Sequence, residues 1–331
     1  MLQFVTAADI FGGPSLENDQ AAGRAVVRYA ALDTPDDVAR ETAEADGIII
    51  TTHPMTAAHI AALGPRVRVI GRAGIGLDAI DLEAAEAAGV AVINFPDYAT
   101  NEVATHAVAM LVALHRRLIE ADRLARLPWG EQSWLSGMAP LETLTLGLVG
   151  LGRIGRAMAE RMRPMVGTIQ AYDPASPPLP DGVERCDGFD ELLESSDLVS
   201  LHLPLLPQTE KLLGAAQFER MRPGALLVNV SRGGLIDEDA LADALIAGQI
   251  GGAALDVFAS EPLASDARIL KAPNTVLSPH VAWFSTTSGP RVRRDTVEAM
   301  IVWIESGTVP HGNLAARPSR SRDEATAEGV S

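Results

Sequence analysis

One run of residues constrains this fold more than any other. Leu144-Thr145-Leu146-Gly147-Leu148-Val149 reads as a continuous apolar strand. It passes directly into Gly150-Leu151-Gly152-Arg153-Ile154-Gly155 and then into a helical segment, 156–165. The next strand ends on an acid, Asp173, at the roughly 20-residue spacing of a dinucleotide-binding fingerprint. Each glycine has its own reason. Gly150 permits the tight turn, Gly152 lets the backbone approach a pyrophosphate without a Cβ clash, and Gly155 lets the helix lie close on the strand. The pyrophosphate would sit at the positive end of the helix, beside Arg153 and Ile154. Asp173 would accept hydrogen bonds from the adenosine ribose and repel a 2′-phosphate. Pro174 and Ala175 follow it, with no arginine to receive such a phosphate, so the cofactor implied is NAD rather than NADP.

The rest of the chain repeats this strand-and-helix alternation. β-Branched runs recur at 67–70, 90–94, 168–172, 197–203, 225–230 and 275–277, separated by Ala/Leu/Glu/Arg-rich segments with helical spacing. Apolar strands alternating with helices indicate parallel sheets covered on both faces, an α/β fold. Two sheet systems are expected, one before Pro96 and one between about Leu144 and His280. The longest helical candidate, 99–126, starts on Thr100-Asn101-Glu102, stops at Leu127-Pro128-Trp129-Gly130 and would connect them. A helical stretch at 291–304 suits either domain. Residues 317–331 are polar and read as a disordered tail.

With 331 residues, 47% of them apolar, the chain can fill two domain cores. Its formal charge of −16 argues against nucleic-acid or membrane-surface partners, and means that an anionic substrate needs a local cation. The single cysteine, Cys186, forms no internal disulfide and no thiolate cluster; a small half-buried thiol is expected, and no metal site. The first residues lack the basic and apolar regions of a signal peptide, and no apolar run approaches the roughly 18 residues of a membrane span, so a cytoplasmic location is expected.

Three further segments each follow an apolar strand: Val230-Ser231-Arg232-Gly233-Gly234, Asp256-Val257-Phe258-Ala259-Ser260-Glu261-Pro262, and Ser278-Pro279-His280-Val281-Ala282-Trp283. Parallel strands place their carboxyl ends on one edge, where ligands bind, so Arg232, Asp256, Glu261 and His280 are expected to converge there. Together they supply what carbonyl reduction needs. A histidine protonates the oxygen as hydride arrives, a carboxylate orients and charges the ring, and a guanidinium grips a carboxylate and polarises the carbonyl. Upstream, Ile70-Gly71-Arg72-Ala73-Gly74-Ile75-Gly76 ends a strand with three glycines whose backbone can cradle an anion, or simply make a tight turn.

These segments resemble those of the D-isomer-specific 2-hydroxyacid dehydrogenases, over about residues 46–306. The resemblance implies a reaction that moves a hydride between NAD and C2 of a small 2-hydroxy or 2-oxo acid. It implies that Arg232 binds and orients the substrate, Glu261 supports the histidine, and His280 is the acid/base. Val230, Ser231, Arg232 and Asp256 would touch the nicotinamide side of the cofactor, as would Pro204 and Thr105. Ala73, Gly74 and Ile75 would grip the substrate carboxylate. The implied fold has two doubly wound domains, a Rossmann cofactor domain (98–283) inserted into a flavodoxin-like substrate domain (1–97 and 284–312), with a tail at 313–331 and a cleft that closes on substrate. A region including Leu127-Pro128-Trp129-Gly130-Glu131-Gln132-Ser133-Trp134 resembles the family's dimerisation arm, which implies a homodimer.

The His280-Val281-Ala282-Trp283-Phe284-Ser285 run is similar to the carboxy-terminal-binding-protein branch, whose animal members are NAD-sensing corepressors. Two classes therefore stay open, a metabolic enzyme and an NAD-gated binding protein. The three catalytic residue types favour the enzyme, since a sensor needs only the cofactor site. Trp283 either lines the substrate pocket as an apolar wall or begins the last helix. The roughly 25 residues after that helix are too few for the regulatory domain that phosphoglycerate dehydrogenases often carry.

Overall fold

The structure, a computed structural model, describes residues 1–7, 13–128 and 138–318. It divides into two compact units, Met1–Ala99 with Ser285–Ser331, and Thr100–Phe284.

The first unit opens with β1 (Leu2–Thr6), α1 (Ser15–Ala21), β2 (Ala25–Tyr29), α2 (Pro35–Thr42), β3 (Gly47–Ile50), α3 (Ala57–Ala61), β4 (Val69–Arg72), α4 (Leu82–Ala87) and β5 (Ala91–Asn94). All four residues of β3, and all four of β5, are buried, as expected for strands covered on both faces. The helix starts follow local chemistry. Thr34 caps α2 by accepting the Asp37 N–H, with Pro35 in its first turn, and Asp81 caps α4 by accepting the Ala84 N–H.

The second unit contains α5 (Thr100–His115), α6 (Leu118–Ala125), β6 (Thr145–Val149), α7 (Arg153–Met162), β7 (Thr168–Tyr172), β8 (Glu184–Arg185), α8 (Phe189–Ser195), β9 (Leu198–Leu201), α9 (Ala215–Arg220), β10 (Leu226–Asn229), α10 (Glu238–Ile246), β11 (Gly252–Leu255) and β12 (Thr275–Leu277). Its strands are all parallel, in the order β12-β11-β10-β9-β6-β7-β8. The winding reverses between β6 and β9, the switch point at which such sheets bind ligands. Leu201, Leu227, Leu255 and Phe218 are part of its core.

The chain then returns to the first unit as α11 (Ser288–Ser306) and β13 (Asn313–Ala316). That sheet runs β13-β5-β4-β3-β1-β2, a flavodoxin-like parallel order with β13 antiparallel on β5. Helix α11 packs on α1 and β4, and Arg293 grips the buried Glu17 through two bonds of 2.6 Å. The stretch at 291–304 therefore belongs to the first unit.

Two expectations need correction. The helix drawn as 99–126 is two helices, because Arg117 takes a left-handed conformation (φ 48°) between α5 and α6. The tail set at 313–331 begins too early, since Asn313–Ala316 pair with β5. Residues 319–331 lie outside the described residues, as do Trp129 to Trp134 of the expected arm.

Candidate active site

In the second unit the carboxyl ends of six neighbouring strands carry the candidate residues. Gly150 follows β6, Asp173 follows β7, Pro204 lies beyond β9, and Arg232, Asp256 and His280 follow β10, β11 and β12. Gly150 adopts φ 101°, and a Cβ there would lie 2.8 Å from the His202 carbonyl. A Cβ at Gly155 would lie 2.2 Å from the Gly150 carbonyl, so helix and strand can approach only with glycine there. A Cβ on Gly152 would meet nothing within 4 Å. The protein itself therefore leaves the space over Gly152 empty, as a pyrophosphate cradle requires. Gly152 offers no side chain to cap α7, so the first-turn N–H groups, including those of Arg153 and Ile154, carry the positive helix end. Asp173 accepts the Leu151 N–H at 2.7 Å and the Ala175 N–H at 2.9 Å, which ties the end of β7 to the loop. These features fit a dinucleotide.

The catalytic candidates meet one another. Nδ1 of His280 lies 2.6 Å from Glu261 Oε2, and the other Glu261 oxygen accepts the Phe258 N–H at 3.0 Å. The two side chains are 34% and 33% exposed, so a ligand can reach them. Burial acts to raise the Glu261 carboxyl. The hydrogen bonds from His280 and Phe258 and the charges of His280 and Arg232 outweigh it, holding Glu261 below the usual range. The charge of Arg232 is the smallest of these contributions. Its Nη1 donates to the Ser231 carbonyl at 2.7 Å. Ser231 donates its hydroxyl to Leu201 O, and Val230 is buried. Glu238, at the start of α10, accepts the Ala259 N–H at 2.5 Å and so steadies the loop carrying Glu261; sequence reading did not find it.

Three more of these residues have partners within the unit. Asp256 is fully buried. Its Oδ1 accepts the Ser278 hydroxyl (2.5 Å) and the Val281 N–H (3.0 Å), and its Oδ2 accepts the Ala282 N–H (2.9 Å). Its carboxylate thus braces the His280 turn. Thr105 is exposed and accepts from Arg161 on α7 at 3.2 Å. Trp283 does not begin α11. It is half-buried, donates its indole N–H to the His280 carbonyl at 2.9 Å, and packs edge-on against Phe284. The Pro204 carbonyl accepts the Thr209 hydroxyl.

In the first unit, four successive carbonyls of the glycine-rich loop are held by side chains or backbone of that unit. Arg72 binds those of Ala73 and Gly76 at 2.9 Å, Phe95 N–H binds that of Gly74 at 2.9 Å, and Asn94 binds that of Ile75 at 2.7 Å. The Ala73 N–H goes to Ile50 O and the Gly74 N–H to Arg72 O. Among the described residues, the N–H groups left without a partner in this loop are those of Ile75 and Gly76, a narrower anion cradle than the sequence suggests. No group of three or more His, Cys, Asp or Glu is placed to hold a metal among the described residues, and no helix among them is long and apolar enough to cross a membrane.

Residues 108–282 match the family described as D-isomer specific 2-hydroxyacid dehydrogenase, NAD binding domain. The chain is 36% identical over 270 residues to the D-3-phosphoglycerate dehydrogenase of Mycobacterium leprae, covering 81% of this chain and 51% of that protein. It is 37% identical over 273 residues to the glyoxylate reductase of Korarchaeum cryptofilum, covering 80% of each. Among solved structures it resembles the D-lactate dehydrogenase of Aquifex aeolicus complexed with NAD and lactic acid, with a TM-score of 0.81, 27% identity, and coverage of 94% of this chain and 99% of that one. The chain spans about half the length of the phosphoglycerate dehydrogenases it matches.

Proposed function

Because the chain belongs to the D-isomer-specific 2-hydroxyacid dehydrogenase family, we propose that it is an NAD-dependent enzyme that interconverts a small 2-hydroxy acid and its 2-oxo acid. The observation that carries the reading is the 2.6 Å His280–Glu261 pair within the field of Arg232. A protein that only sensed the cofactor would not need this arrangement. The loop Gly150, Gly152, Arg153, Ile154 and Gly155 would hold the pyrophosphate and Asp173 the adenosine ribose; Val230, Ser231 and Pro204 border the same strand ends. Bound NADH would supply the hydride that reaches C2.

The chain's own residues account for the rest. Glu261 occupies Nδ1 of His280, so Nε2 is the nitrogen that faces a substrate oxygen. In reduction Nε2 gives its proton to the oxygen of C2, and in oxidation it takes that proton back. Arg232 presents a planar fork suited to a carboxylate and its neighbouring carbonyl. Ile75, with Gly76, would add backbone donors for the carboxylate. Trp283 and the exposed Phe284 and Val281 put apolar surface beside the acid/base. We therefore expect oxo acids with apolar side chains to be preferred to glyoxylate or hydroxypyruvate.

The same proposal makes the protein a cytoplasmic homodimer that acts on a small molecule and binds neither nucleic acid nor membrane. Its −16 charge supports the exclusion of polyanions. Steady-state kinetics with both cofactors and a panel of 2-oxo acids test the reading. NADH should be used in preference to NADPH, and Asp173→Ser should narrow the gap. Equal or better use of NADPH by the unaltered protein would overturn the role of Asp173.

A further inference from the structure

The acid/base does not sit in relaxed backbone. His280 has φ 53°, a left-handed conformation that a residue with a Cβ resists. Besides the Trp283 indole on its carbonyl, the Glu261 carboxylate on its ring and a second acceptor for its N–H in Ser278 O (3.1 Å), the turn is held by Asp256. The Asp256 carbonyl accepts the His280 N–H at 2.8 Å, and its carboxylate accepts the next two N–H groups, of Val281 and Ala282. The third donor to this carboxylate is the Ser278 hydroxyl at 2.5 Å. Behind Ser278 stands His106, on α5, with Nε2 3.0 Å from Ser278 Oγ and 3.5 Å from Asp256 Oδ1. No sequence motif points to His106.

The direction of these bonds is fixed by donor counting. An ionised carboxylate only accepts, so the single hydroxyl proton of Ser278 goes to Asp256. Ser278 Oγ can then only accept from the ring beside it, which requires the proton of His106 on Nε2. Without that donor the Ser278 hydroxyl is free to rotate toward the Met110 sulfur, 3.8 Å away, and the buried carboxylate loses a partner.

We propose that His106 is a positioning residue for the acid/base, acting through Ser278 on the Asp256 carboxylate that fixes the His280 turn. The inference rests on the dehydrogenase reading for its kinetic consequence, but not for its structural one. Amide hydrogen exchange at Val281 and Ala282 reads the turn directly, without turnover. In His106→Leu these two amides should exchange about tenfold faster, the scale of one lost hydrogen bond, while those of β10 and β11 keep their protection. His106→Gln, which restores an N–H donor, should recover most of the protection. In kinetics kcat should follow the same order, with the Kd for NADH unchanged. Placed in a Ser278→Ala background, His106→Leu should add nothing.

Unchanged exchange at both amides in His106→Leu, equal losses in the Leu and Gln variants, or a full additional effect in the Ser278→Ala background would each overturn the proposal. So would loss of protection spread through the whole unit. If exchange follows the predicted order but the wild type reduces no 2-oxo acid, the brace stands and the dehydrogenase reading falls.

Discussion

One oxygen of Glu261 holds the Phe258 N–H and the other holds the His280 ring, so Glu261→Gln removes charge while keeping an acceptor for the backbone. The carboxyl is depressed below its ordinary value of 4.5. Its pairing is therefore fully present above about pH 4.5 and is lost as the pH falls through the depressed value. Glu261→Gln should lower kcat near neutral pH and remove the loss of activity that protonation of Glu261 causes as the pH falls below about 4.5. An unchanged kcat with an unchanged acid limb would show that the two groups are uncoupled. Arg232→Lys keeps charge and loses the planar fork, so KM for the oxo acid should rise and kcat should fall, each by about tenfold or more. Wild-type kinetics in that variant would refute the role given to Arg232. At this scale the sequence marked Arg232, Glu261 and His280 because each follows a strand that ends on the ligand edge. It did not foresee the bonds of Asp256 to the Val281 and Ala282 N–H groups, because a strand end shows which edge a side chain occupies, not which N–H groups its carboxylate caps. His106 carried no signal, because its partners, Asp256 and Ser278, lie far along the chain, just beyond β11 and β12.

The loop between β6 and α7 shows what an element reveals beyond its motif. Its three glycines look equivalent as letters and differ in surroundings. Gly155→Ala forces a Cβ to 2.2 Å from the Gly150 carbonyl and should destabilise the protein by several degrees in Tm. Gly152→Ala meets no protein atom within 4 Å and has an ordinary φ of −69°, so Tm should stay within about 2 °C of wild type. The added methyl would occupy the pyrophosphate space, and NADH should bind at least about tenfold more weakly. Calorimetry and fluorescence titration measure the two effects separately. Unaltered NADH affinity in Gly152→Ala would mean that the cradle is not used. Other elements escaped the sequence. Arg116-Arg117-Leu118 has no glycine or proline to announce the break between α5 and α6. The strand β13, Asn-Leu-Ala-Ala, has no β-branched residue and exists because β5 offers it an edge. The strands β1 to β3 lie ahead of the first run the β-branched pattern picked out, with alternating or short apolar stretches that the pattern alone does not separate from helix.

At the scale of the whole molecule, the two-sheet α/β architecture was legible because its signal is redundant: many strands, one phosphate loop and a helix after most strands all require parallel sheets. The chemistry was less legible, since it depends on side chains brought together from β10, β11 and β12. In a chain this acidic, the whole-molecule field repels an anionic substrate, so the proposed reaction depends on local cations such as Arg232. The central claim is that His280 protonates a 2-oxo acid as hydride arrives. It is tested most directly by following NADH oxidation at saturating 2-oxo acid for the wild type and His280→Ala, with NADH affinity measured in parallel. The account predicts turnover by the wild type to the D-2-hydroxy acid, and a loss of about 10² to 10⁴-fold in kcat for His280→Ala at unchanged NADH affinity. A wild type that binds NADH yet reduces no 2-oxo acid, or a His280→Ala variant that keeps its rate, would contradict it.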